Sequence, residues 1–268
     1  MEWYQAVVLG LVQAVSEFLP ISSSGHLILV PHLLNWPDQG LDFDIASNTG
    51  TLLAVLIYFR RDVGALLHGG WSSLRRGHIA DNPEAYLLWA LAFATIPVGL
   101  AGLYFKPLIE SLGRTPLLIA TTAVVFGLLL GAADWFGRRR LAMPLLSWRD
   151  AILIGCAQAL ALVPGTSRSG ITMTMALMLG FTRETAARFS FLLAIPVGIL
   201  AAGLDAIELS HKTVTAHDWQ MLAIGLVVSG CAGLAVIHGL LTWLRRQGLM
   251  VFVFYRLTLG AAIFTLLA

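Results

Sequence analysis

A carboxamide, a carboxylate, three consecutive serines and a histidine crowd into one short stretch, QAVSEFLPISSSGH, from Gln13 to His26. Gln13 and Glu17 stand four apart, which puts both side chains on one helix face. Such a pair could hold a divalent cation or position a water, or it could clamp neighbouring helices. Ser22, Ser23 and Ser24 follow Pro20 and precede Gly25 and His26. One serine suits a helix N-cap, but capping does not explain all three. Free amides and hydroxyls at a helix N-terminus also make a ready anion site. A serine hydroxyl within reach of His26 could be a nucleophile with the imidazole as its base, or His26 could attack or protonate a leaving oxygen. The residue types leave those roles open.

A second cluster, PGTSRSG, runs from Pro164 to Gly170. Arg168 is a permanent cation whose planar fork fits phosphate or carboxylate; it could also simply neutralise Glu17. Gly165, Thr166, Ser167, Ser169 and Gly170 around it read as a phosphate cradle. Asn48, ahead of Gly50, either lines the same pocket or makes an interhelical hydrogen bond. Arg183, Glu184 and Arg188 read as interfacial anchors, Asp42 and Asp44 as a helix N-terminus. His238 reads as a bundle residue, and His68, His78, His211 and His217 as loop residues.

These groups sit in a chain whose composition belongs to a membrane. Of 268 residues 57% are hydrophobic and only 12% charged, with mean hydropathy +0.80; a soluble domain carries about 25% charged residues. The net charge of +2 says little. We therefore expect an all-α polytopic membrane protein forming a single domain over 1–268. Apolar runs of spanning length are predicted at 42–59, 86–104, 115–135, 184–203, 218–240 and 250–267. Two more apolar regions, 3–34 and 150–180, break at Pro20–Gly25 and Pro164–Gly170, and read as pairs of half-helices. Ionisable groups at bilayer depth are costly and point to function. Irregular backbone survives there only inside protein or along a cavity. Cys156 and Cys231 read as small buried hydrophobes. No basic segment precedes the first apolar run, so a cleaved signal peptide is not expected.

Arginines orient the chain. Arg60, Arg61, Arg75 and Arg76 fall in a loop expected at 60–85, Arg138–Arg140 and Arg149 in 137–149, and Arg245 and Arg246 near the next turn. The alternating loops hold only Lys106, Arg114 and Lys212. The positive-inside rule places the arginine-rich loops in the cytoplasm. The span count then makes 1–34 enter and leave from outside and 150–180 from inside. The two regions also match without gaps: Gly10, Gln13 and Ala14 fall on Gly155, Gln158 and Ala159, and Ser22, Ser24 and Gly25 on Ser167, Ser169 and Gly170. An inverted-topology repeat is expected, with halves 1–135 and 150–268 and the two breaks facing each other.

The stretch GLVQAVSEFLPISSSGHL, together with PGTSRSG, resembles the undecaprenyl-diphosphate phosphatase family of bacitracin-resistance proteins. That family carries an (E/Q)xxxE motif, a Pro-x-Ser-Ser-x-Gly-His segment and a PGxSRSG motif. They fall here on Gln13 and Glu17, on Pro20–His26 and on Pro164–Gly170. The resemblance implies hydrolysis of undecaprenyl diphosphate to the monophosphate carrier of cell-wall synthesis. It implies a Mg2+ or Ca2+ cofactor and a site facing the periplasmic side of a bacterial cytoplasmic membrane. By position, Glu17, His26, Ser23 and Arg168 would be catalytic, with Glu17 and Gln13 on the metal. Ser22, Ser24, Gly25, Gly165, Thr166, Ser167, Ser169 and Gly170 would bind phosphate. Gln13 in place of glutamate removes a metal charge, and Asn48 stands where His or Gln would be expected. The partners implied are the polyprenyl diphosphate and membrane lipids, with a homodimer allowed for and no nucleic acid. The competing reading is a flippase or anion transporter, since inverted repeats with broken helices are a transporter architecture.

Overall fold

The computed structural model describes residues 1–76, 79, 82–112, 115–210 and 215–267. Its helices, in order, are α1 Trp3–Phe18, α2 Ser23–Leu33, α3 Leu41–Tyr58, α4 Arg60–Arg76, α5 Pro83–Leu112 and α6 Pro116–Phe136, then α7 Trp148–Ala159, α8 Arg168–Met178, α9 Arg183–Ser210, α10 Ala216–Leu244 and α11 Met250–Leu267. Among the described residues no β-strand forms. Within α5, α6, α9 and α10 lie segments long and apolar enough to cross a membrane, while Met250–Leu266 is a shorter apolar helix. The expected segment at 42–59 is α3, whose polar first half keeps it outside that group.

Both predicted breaks are present, and sequence explains each. Proline disfavours the helical region for the residue before it, and Leu19 is extended at ψ 143°. The chain re-enters a helix at Ser23, capped by Ser22, whose Oγ accepts from the Gly25 N–H at 3.5 Å. The second break ends likewise: Ser167 caps α8 and accepts from the Gly170 N–H at 3.2 Å. Both capping serines hold a positive φ, 75° at Ser22 and 68° at Ser167. Non-glycine residues pay roughly 1–3 kcal/mol for such a conformation. Two serines matched in sequence thus share one unfavourable backbone shape.

The main core draws buried side chains from α1 and from α3 to α11, and within it Phe18 and Phe191 meet edge to face at 5.5 Å. Large apolar side chains such as Leu103, Phe136, Phe254 and Phe264 remain exposed on the outside, the surface expected against lipid rather than water. Cys156 and Cys231 belong to this exterior and are exposed, which corrects their reading as buried. Helical periodicity turns each outward into a surrounding that is itself apolar. The expected loop at 60–85 is corrected too, because most of it is α4, an amphipathic helix. His68 therefore lies in α4 and His217 in the first turn of α10. His78, Arg114, His211 and Lys212 lie outside the described residues.

Ionic contacts gather several helix ends. Arg183 at the start of α9 binds Asp134 near the end of α6, at 3.0 Å through Nη2. Arg188 pairs with Asp62 of α4 at 2.9 Å, and Arg245, just past α10, with Glu184 at 3.0 Å. The anchors of the sequence reading are thus ion-paired helix ends. Trp148 at the start of α7 packs on Tyr86 at the start of α5, ring centroids 4.7 Å apart. The chain start instead lies by the first turn of α10, where His217 Nε2 meets the Met1 carbonyl at 3.0 Å.

Candidate active site

The two breaks meet. Ser24 Oγ accepts from the Gly165 N–H at 3.1 Å, and Ser169 Oγ donates to the Leu19 carbonyl at 3.2 Å. Each half therefore lends a serine to the other's backbone. Gly165 has φ +86° and lies so close to α6 that a methyl there would collide with Thr122 Oγ1. Thr122 Oγ1 in turn donates to the Pro164 carbonyl at 2.6 Å, so the turn rests directly on α6.

Glu17 sits at the centre of this junction. Its Oε1 accepts from Arg168 Nη2 at 2.6 Å, and its Oε2 from Ser23 Oγ at 3.0 Å and Gln13 Nε2 at 3.2 Å. Gln13 Nε2 also donates to Asn48 Oδ1 at 2.8 Å. Asn48 thus does both things that its position suggested: it hydrogen-bonds between helices and it lines a cavity. The ion pair is only partly covered, with side-chain exposures of 11% for Glu17 and 24% for Arg168. It opens onto two chambers, each of about 240 Å³. One is lined by Ser22, Ser23, Ser24, Gly165 and Ser167. The other is a groove between α3, α5, α7 and α9, polar at Asn48, Thr51 and Gln158 and apolar at Leu52, Val55 and Val197. The first turns of α2 and α8 both border the serine chamber. Two helix N-termini, each with amides lacking an intrahelical acceptor, thus face one small space.

His26 is placed differently. Its Nδ1 lies 2.7 Å from the Ser22 carbonyl and its Nε2 2.7 Å from the Tyr255 hydroxyl. A carbonyl only accepts, so Nδ1 carries the proton, and in the neutral ring Nε2 accepts from Tyr255. Both ring nitrogens are occupied, and His26 borders neither chamber. The structure gathers Gln13, Glu17, Ser23, Asn48 and Arg168, with Ser22, Ser24, Gly165 and Ser167 around them, and sets His26 behind. Thr166 and Ser169 are buried at the junction, and Gly25 and Gly170 supply the two capping amides.

Two residues of α11 were missed from sequence. Besides Tyr255, Arg256 is fully buried. Its guanidinium donates to Pro20 of the first break (3.3 Å), to Gly165 (3.0 Å) and Thr166 (2.9 Å) of the second, and to Thr122 and Ala123 of α6. It ties the carbonyls of both breaks to one cation. The signal was available, since an arginine inside an apolar run deserves the attention given to Arg168.

The sequence profile described as "Bacitracin resistance protein BacA" matches residues 6–262. The chain belongs to that family. Its relatives include proteins named undecaprenyl-diphosphatase from Magnetococcus marinus, 55% identical over 100% of both chains, and from Nitrosococcus oceani, 49% identical over 99% of both. A third, named undecaprenyl-diphosphatase 2, from Stutzerimonas stutzeri, is 50% identical over 99% of this chain and 98% of its own. The match thus covers both breaks and all eleven described helices apart from a few terminal residues.

Proposed function

We propose that this protein is a membrane phosphatase that removes the terminal phosphate of undecaprenyl diphosphate, leaving the monophosphate carrier used in cell-wall synthesis. Such recycling fits the description of the family as bacitracin-resistance proteins. The observation that carries the mechanism is the Ser23–Glu17–Arg168 relay at the edge of a chamber faced by two helix N-termini. Cleaving a diphosphate mainly requires charge stabilisation and in-line positioning. Arg168 and the amides of α2 and α8 hold the terminal phosphate. Ser23 Oγ attacks its phosphorus while its proton passes to Glu17 Oε2. The bond to the bridging oxygen breaks, and lipid monophosphate leaves. Water then attacks the phosphoserine, releasing phosphate and restoring Ser23. His26 is a positioning residue: it holds the Ser22 carbonyl, and Tyr255 holds His26.

A divalent cation fits this donor set. Hard cations take oxygen ligands, and Gln13 Oε1 is buried without a hydrogen-bond partner, on the carboxamide whose Nε2 donates to Glu17. Among the described residues no group of three or more His, Cys, Asp or Glu gathers, so substrate oxygens must complete the shell. Glu17 and Gln13 would hold the ion, which would neutralise phosphate charge.

The two halves form an inverted-topology repeat in a bacterial cytoplasmic membrane. Trp148 beside α5 and Met1 beside α10 support entry of the two broken pairs from opposite ends. The Arg183, Arg188 and Arg245 ion pairs gather helix ends next to the arginine-rich segments, and the positive-inside rule supports a cytoplasmic placement of that end. The site then faces the periplasm. No observation favours the transporter reading, and the relatives' names oppose it. Acid-quenching the enzyme with polyprenyl diphosphate labelled in its terminal phosphate tests the mechanism. Label on the Ser23 peptide is expected; rapid phosphate release without it would assign attack to water.

A further inference from the structure

We infer that Gln158 is a substrate-binding residue that donates to the lipid-side phosphate of the diphosphate, the one retained in the product. Gln158 is 0% exposed, and neither its Nε2 nor its Oε1 has a hydrogen-bond partner among the described residues. A buried carboxamide with both ends unmet is costly and rare in folded proteins. It lines the groove that Arg168 and Glu17 also border. Its repeat counterpart explains the anomaly. Gln13 spends its amide on Glu17 and Asn48, whereas Leu162 stands where the repeat would put a second glutamate. The second break thus has the amide without the carboxylate that accepts from it in the first.

This rests on the proposed phosphatase reading. With the terminal phosphate in the serine chamber and the isoprenoid along Leu52, Val55 and Val197, the remaining phosphate must lie where the two spaces join. Arg168 meets it from the side of the breaks and Gln158 from the groove. A neutral donor there adds affinity for an anion without trapping the product as a second arginine would.

The test compares Gln158→Met, of similar volume and no polar end, with wild type in detergent. Each protein is titrated with a non-hydrolysable polyprenyl methylenediphosphonate and with polyprenol, the same tail without phosphate. The account predicts that diphosphonate affinity falls about tenfold, the loss of one hydrogen bond to a charged group. Polyprenol affinity stays unchanged, and the unliganded melting temperature stays level or rises. Affinities for both lipids that fall together would assign Gln158 to the shape of the groove and overturn the inference. Unchanged diphosphonate affinity would overturn it as well. Wild type that binds the diphosphonate no better than the alcohol would instead sink the phosphatase reading.

Discussion

At the scale of single residues, the site depends on which groups share Glu17. Ser23→Ala removes the oxygen proposed to attack and should lower kcat on the order of 10³-fold or more, with folding intact because Ser23 makes one side-chain hydrogen bond in the structure. Arg168→Lys keeps the charge but loses the fork. Losing one charge-assisted hydrogen bond, about 1.5–3 kcal/mol, should cost roughly 10- to 100-fold in kcat/KM. Steady-state phosphate release on purified variants measures both. His26→Ala separates the roles left open by sequence. As a positioning residue behind Ser22, its loss should lower kcat less than Ser23→Ala and leave phosphoserine detectable after acid quench. A loss equal to that of Ser23→Ala, with no phosphoserine, would return His26 to the chemistry. Of these residues, Glu17, Ser23 and Arg168 were legible because carboxylate, hydroxyl and guanidinium in apolar sequence need a reason. The engagement of His26 was not legible, because its partner Tyr255 is brought from the far end of the chain.

At the scale of elements, the breaks are where local sequence and tertiary structure agree most closely. Pro20 ends α1, serines cap α2 and α8, and the matched motifs adopt matched backbone shapes. Arg256 itself was visible as an arginine in an apolar run; what could not be read is which groups it holds, because carbonyls leave no trace in side-chain pattern. Arg256→Lys offers three donors in place of the planar fork, so the breaks should lose register. Its melting temperature and kcat should both fall, with KM moving little. Gly165→Ala tests the same junction from the backbone. Positive φ and the collision with Thr122 predict destabilisation of about 1–3 kcal/mol, visible as a lower thermal midpoint in detergent. The helix α4 escaped the sequence reading because arginines at both ends made an amphipathic segment look like a loop.

At the scale of the whole molecule, composition alone gave the class, arginine placement gave an expected orientation, and the ion pairs bring the ends of several of those helices together. With Cys156 and Cys231 replaced by alanine, Glu2→Cys should react with a membrane-impermeant maleimide added outside intact cells, and Arg149→Cys only after permeabilisation. The reverse pattern would invert the placement of the site. Cavities were the part sequence could not supply, since their walls come from α3, α5, α7, α9 and both breaks at once. The most direct test of the account is phosphate release from a polyprenyl diphosphate by the detergent-purified protein, beside Ser23→Ala of equal thermal stability. Release by wild type and its collapse in the variant is the predicted result. A well-folded wild type that releases no phosphate, or a Ser23→Ala protein that turns over like wild type, would contradict it.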